Sequence, residues 1–239
     1  MTADPGPTAE PFRLEELARL IDHTLLKPDA LPADISRLCS DAVRHAFWSV
    51  CVNPVHVARA AAAVAGTNTL VCTVAGFPLG AERPDVKVLA ARAALDDGAH
   101  EVDMVVNIGA LKAGESSFVL DEVRLVASAC HEAGALCKVI LETVLLSDAE
   151  KVLGAQLAAD GGADFVKTST GFAAGGATEA DVALLRRTVA PRGLGVKASG
   201  GIRTLDDLIR MVAAGATRIG TSSGVRIVED AKERIARMS

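Results

Sequence analysis

The feature that most constrains this chain is a rhythm. Along its 239 residues, short apolar runs rich in β-branched residues recur, and each is followed by a longer stretch with helical periodicity. Eight runs read as strands: Ile21–Thr24, Ser49–Asn53, Thr69–Ala75, Glu101–Asn107, Leu136–Glu142, Asp164–Thr168, Gly195–Ser199 and Thr217–Gly220. Helices are expected between them over Ala33–Ala46, Val55–Val64, Pro84–Asp97, Glu115–Ala133, Asp148–Asp160, Glu179–Ala190, Thr204–Ala214 and Gly224–Met238. Gly66, Gly98, Gly134 and Gly215 sit where a left-handed residue would end a helix. Asp148 and Thr204 are candidate N-caps, and Pro84 suits a first helical turn.

Strands alternating with helices fit either a closed (β/α)8 barrel or an open doubly wound sheet. Eight repeats close a barrel in this length, and no G-x-G-x-x-G follows the first strong strand, so the barrel is the expectation. An extra N-terminal helix, Leu14–Leu20, is expected to cap its closed end. Residues 13–239 then form one catalytic domain and residues 1–12 a flexible tail.

Aromatic residues make up only 3 % of the chain, with no tyrosine, so its core must be built of Val, Ile, Leu and Ala, the residues of buried parallel sheets. A net charge of −5 without a long basic run points away from nucleic acid and towards small molecules. The first residues lack the apolar core of a signal peptide, and no segment approaches the roughly 18 uninterrupted apolar residues of a membrane span. A cytoplasmic location is expected. Five cysteines without C-x-x-C spacing, and histidines without an H-E-x-x-H motif, support neither a disulfide framework nor a zinc site. No metal and no cofactor are expected.

In such barrels the active site forms at the C-terminal ends of the strands. Asp103 lies within an apolar run, and Lys167 and Lys197 end consecutive strands, all three placed by alternation to point inwards. A lone strand-end lysine most often snorkels to solvent, and a buried Asp can simply pair with a lysine. Two inward lysines on strands ~4.8 Å apart weaken the first reading. Like charge and desolvation depress an amine pKa from its reference of ~10.4, which leaves the neutral nucleophile that Schiff-base chemistry needs. Either lysine can fill that role on this reading, with Asp103 as proton shuttle.

Glycine-rich turns supply a second signal. Thr170-Gly171, Ser199-Gly200-Gly201 and Gly220-Thr221-Ser222-Ser223-Gly224 follow the last three strands, where backbone amides and short hydroxyls can surround a phosphate. Each glycine taken singly is equally an ordinary turn residue. Asp22 and Thr24 end the first strand and can meet a substrate hydroxyl, although a buried Asp can also satisfy backbone amides. Cys51 is either packing or pocket lining. Lys138 can add charge to the pocket, bond Asp103, or pair with Glu142.

From Leu17 to Ser223 these segments together resemble the deoxyribose-phosphate aldolases, class I aldolases on a TIM barrel. The resemblance rests on Ile-Asp22-His-Thr, Glu-Val-Asp103-Met-Val, Leu-Cys-Lys138-Val-Ile-Leu-Glu-Thr, Asp-Phe-Val-Lys167-Thr-Ser-Thr-Gly and Val-Lys197-Ala-Ser-Gly-Gly-Ile-Arg. It implies reversible, metal-free cleavage of 2-deoxy-D-ribose 5-phosphate to D-glyceraldehyde 3-phosphate and acetaldehyde by a homodimer or homotetramer. It further implies that Lys167 carries the Schiff base, that Lys197 lowers its pKa, and that Asp103 relays protons with Lys197. Two departures stand out: Phe172 occupies a position where some members carry a phosphate-touching lysine, and the terminal tyrosine of some members is absent. The competing functions are a phosphate-binding isomerase or synthase with Asp103 as base, and a catalytically silent barrel.

Overall fold

The computed structural model describes residues 13–238, so the tail expected over residues 1–12 lies outside the described residues. Eight parallel strands close into a barrel in sequence order, each paired with its chain neighbours and the last with the first. The elements run α1 (Leu14–Ala18), β1 (Ile21–Leu25), α2 (Pro32–Arg44), β2 (Ser49–Val52), α3 (Val57–Val64), β3 (Leu70–Ala75), α4 (Pro84–Asp96) and β4 (Glu101–Val105). They continue with α5 (Ile108–Lys112), α6 (Ser116–Glu132), β5 (Leu136–Ile140), α7 (Asp148–Asp160), β6 (Phe165–Lys167), α8 (Glu179–Val189), β7 (Gly195–Ser199), α9 (Leu205–Ala213), β8 (Arg218–Thr221) and α10 (Gly224–Met238).

The two faces of the strands have different chemistry. In β4, Val102 and Met104 belong to the main apolar core, which lies between the strands and the surrounding helices. Glu101 and Asp103 alternate with them and enter the barrel, yet both are as fully buried as their apolar neighbours. The same alternation sends Lys138, Lys167, Lys197 and Arg218 inwards, so the barrel interior is held largely by ion pairs. Its small apolar part is a cluster of Leu26, Cys51, Cys72 and Val74.

The helix punctuation follows the local chemistry. Gly66, Gly98, Gly134 and Gly215 all take positive φ, and Pro84 is the first residue of α4. Thr204 caps α9 and exchanges bonds with Asp207, while at α7 the cap is Ser147, one residue before Asp148. Ser147 takes that place because its hydroxyl accepts the Glu150 amide while Glu150 reaches back to its own N–H. Helix α5 is not expected from periodicity, since five residues carry less than two turns. Its cap, Asn107, accepts the Ala110 amide and ends the strand earlier than the apolar run suggests.

Helix α1 packs against α10, and the residue that follows it reaches the closed end of the barrel. Arg19 donates to the carbonyls of Phe47 and Asn68 and stacks 4.5 Å over the Trp48 ring. Trp48 in turn donates to Glu101 at 2.8 Å, which joins these contacts to the polar interior.

Candidate active site

Strand register pairs the two central lysines, and side-chain reach across the closed barrel brings Asp103 to both. Lys167 and Lys197 are direct partners across β6 and β7, and Asp103 is the partner of Lys138 across β4 and β5. Asp103 Oδ2 accepts from Lys167 Nζ and Lys197 Nζ, both at 2.7 Å, and Oδ1 accepts from Lys138 Nζ at 2.8 Å and the Cys72 thiol at 3.2 Å. Burial alone would raise the Asp103 pKa. The ammonium groups of Lys138, Lys167 and Lys197 outweigh it and hold the carboxyl well below the usual range.

A second tier lies beneath. Lys138 also reaches Glu101 at 2.5 Å, and Arg218 joins Glu101 to Asp22 at 3.0 and 2.8 Å. Asp22 Oδ2 lies 2.5 Å from Lys197, and its Oδ1 accepts the Ser49 hydroxyl at 2.8 Å. Burial works against the Lys138 and Lys197 ammonium groups, but the surrounding carboxylates, Asp103 first, hold both above the ordinary lysine range. Lys197 needs a close approach to reach its partners. A Cβ on Gly220 would stand 3.0 Å from Lys197 Cε and from Ser199 Cβ.

The two central lysines differ in access. A cavity of about 370 Å³ opens above the cluster, and Lys167 lines it while Lys197 does not. Lys167 pairs with Asp103 alone among the described residues, whereas Lys197 is clasped by two carboxylates and is 0 % exposed. Sequence left the pair equivalent, and packing distinguishes them.

The same cavity is lined by Thr24, Thr170, Gly171, Gly200, Gly201, Gly220 and Ser222, all singled out in the sequence. Gly171, Gly200 and Gly201 have positive φ, and their amides and that of Ser222 donate to no acceptor among the described residues. Helix α10 begins two residues after Ser222 and adds its dipole. Four of the expected substrate contacts lie elsewhere. Asp22 and Lys138 are in the buried ion-pair tiers, Cys51 packs against Cys72, and the Ser223 amide is taken by Thr221 Oγ1 at 2.9 Å. Lys138 pairs with Asp103 and Glu101, not with Glu142.

Lys27, Phe172, Ser199 and Arg203 also line the cavity. Of these, Lys27 and Arg203 have no ion-pair partner among the described residues. No strand alternation marks them, because both fall in turns beyond the strand ends. Groups of atoms close enough for a metal occur at Cys51, Cys72 and Asp103 and at Asp22, Cys72 and Glu101. Their carboxylates are already engaged by lysines and Arg218.

A buried carboxylate shared by two amines, one facing a cavity ringed by free backbone amides, is a site for amine chemistry on an anionic carbonyl compound. The model of the DeoC/LacD family aldolases matches residues 17–229. The chain belongs to that family. A deoxyribose-phosphate aldolase of Geobacillus sp. (strain WCH70) is 55 % identical over 213 residues, covering 89 % of this chain and 95 % of the relative. One from Thermococcus gammatolerans is 52 % identical over 219 residues, covering 91 % and 97 %. The tetrameric deoxyribose phosphate aldolase of Aeropyrum pernix superposes with a TM-score of 0.87 at 36 % identity, over 93 % of each chain. Membership of an aldolase family fits an electron-sink amine better than an isomerase built on Asp103 alone.

Proposed function

We propose that the chain is a class I aldolase that reversibly cleaves 2-deoxy-D-ribose 5-phosphate to D-glyceraldehyde 3-phosphate and acetaldehyde. The observation that carries this reading is that Lys167 is the cavity-facing member of a lysine pair bridged by Asp103. The interior sets Lys138, Lys167, Lys197 and Arg218 against Asp22, Glu101 and Asp103, one cation in excess. Lys167 is the member of this buried cluster with a single carboxylate partner and a place in the cavity lining.

The neutral Lys167 amine adds to the aldehyde carbon of the open-chain sugar to give a carbinolamine. Loss of water, with protons moved by Asp103 and Lys197, gives the iminium. A water in the cavity accepts the C3 hydroxyl proton, the carbonyl of D-glyceraldehyde 3-phosphate forms as the C2–C3 bond breaks, and the bonding pair passes into the iminium to give an enamine. Protonation of the enamine at C2 and hydrolysis release acetaldehyde and restore the amine. The amides of Gly171, Gly200, Gly201 and Ser222 hold the phosphate, with Lys27 and Arg203 adding charge at the rim, and so fix the reacting bond over Lys167.

Incubation with the sugar phosphate and borohydride, followed by peptide mass mapping, tests the assignment. A reduced adduct on Lys167 is expected. An enzyme that isomerises the sugar phosphate without forming any adduct would overturn it.

The working unit in this reading is a homo-oligomer in the cytoplasm. Exposed Val86 and Leu89 on α4, beside exposed Phe118 and Leu125 on the adjoining α6, offer an apolar surface to a second copy. No helix among the described residues is long and apolar enough to cross a membrane. Sedimentation velocity reads the assembly directly.

A further inference from the structure

Glu142, just past β5, has φ 55°, a left-handed conformation that costs a non-glycine residue energy unless its surroundings enforce it. Its side chain is buried and lies outside the cavity lining. Carboxylate Oε2 accepts both the backbone N–H of Thr170, at 3.2 Å, and the Thr170 hydroxyl, while Oε1 has no partner among the described residues. Thr170 Oγ1 in turn accepts the Phe172 amide at 3.1 Å.

A hydroxyl has one proton and two acceptor sites. At Thr170 the proton is committed to Glu142 and one acceptor site to Phe172, which leaves one acceptor site on a residue that lines the cavity. Thr170 stands three residues after Lys167 and one before Gly171, between the reacting end of the site and its phosphate end. The proposed substrate carries a hydroxyl in the same interval, on the carbon between the cleaved bond and the phosphorylated end.

We infer that Glu142 is a positioning residue that acts through Thr170, fixing its hydroxyl so that Oγ1 meets the cavity only as an acceptor and selects aldehydes with a hydroxyl beside the carbonyl. This rests on the aldolase reading above. Glu142 needs only an acceptor oxygen for this role, so a glutamine can replace it and a methionine cannot.

The test is condensation of acetaldehyde with D-glyceraldehyde 3-phosphate and with 3-oxopropyl phosphate, which lacks that hydroxyl, scored as the ratio of the two kcat/KM values. Glu142→Met and Thr170→Val should each lower the ratio about ten-fold, the discrimination of one hydrogen bond. Glu142→Gln and Thr170→Ser should keep it within about two-fold, and the Met/Val double variant should be no worse than Thr170→Val alone, because the two act in series. Equal loss on both aldehydes in Glu142→Met, or multiplicative losses in the double variant, overturns the inference. If Glu142→Met does not fold, the Thr170→Val and Glu142→Gln ratios decide it. A wild-type protein that condenses neither aldehyde removes the aldolase reading, and this inference with it.

Discussion

Lys167 and Lys197 share one oxygen atom: Asp103 Oδ2 stands 2.7 Å from each amine, on strands where the two lysines are register partners. The division of labour follows from what else each touches. Lys197 has Asp22 as a second carboxylate and does not line the cavity, and its two carboxylates hold its ammonium group above the ordinary lysine range.

Replacing Lys197 with Met removes that ammonium and leaves Asp103 Oδ2 to Lys167 alone, which favours the charged, unreactive amine. Turnover at neutral pH should fall by about 10² or more, with borohydride trapping at Lys167 slowed yet still detectable. Trapping rates at pH 7 for wild type and Lys197→Met check this. A variant that traps as fast as wild type would remove the proposed role of Lys197.

His23 governs a pH dependence of stability. Burial lowers its pKa to about 4, against a reference of 6.5, with Asp41 pulling weakly the other way. The folded state therefore binds fewer protons than the unfolded state between these values, and stability falls as the pH drops from 6.5 to about 4. The full effect is about 3 kcal/mol. Urea titrations at pH 7.5 and pH 4.5 should show the loss, and His23→Gln should remove most of the slope.

Gly220 makes room for Lys197. In Gly220→Ala the new methyl meets Lys197 Cε and Ser199 Cβ at 3.0 Å, so Lys197 must shift away from its carboxylates. Overpacking of this kind costs about 1–3 kcal/mol, and activity should fall more steeply than stability because the displaced group belongs to the amine pair. Thermal melts and initial rates measured side by side separate the two losses.

Phe172 lines the cavity beside Gly171 and packs edge-on against Phe77, with ring centroids 5.3 Å apart. Phe172→Lys should lower the KM of the sugar phosphate several-fold at low salt. The gain should shrink at high ionic strength, where a half-exposed charge is screened. A KM indifferent to salt would place the new lysine away from the phosphate.

The sequence by itself made the barrel legible, because eight strand-and-helix repeats in 239 residues close a ring and no dinucleotide-binding glycine motif favours the open doubly wound sheet. It also brought Asp103, Lys167 and Lys197 inside, since alternation along a strand is a local property. What each of them touches came only with the tertiary structure. Closure of the barrel set Asp103 across from both amines, within 2.7 Å of each, and packing left Lys167 lining the cavity and Lys197 off it. Asp22 and Lys138, which share the same strand chemistry, are fully buried in ion pairs and do not line the cavity. Glu142 stands in a recognisable segment of the chain, but its partner is Thr170, across 28 residues, which no local pattern shows. Periodicity is written residue by residue, whereas depth, access and shared partners exist only once the barrel has closed.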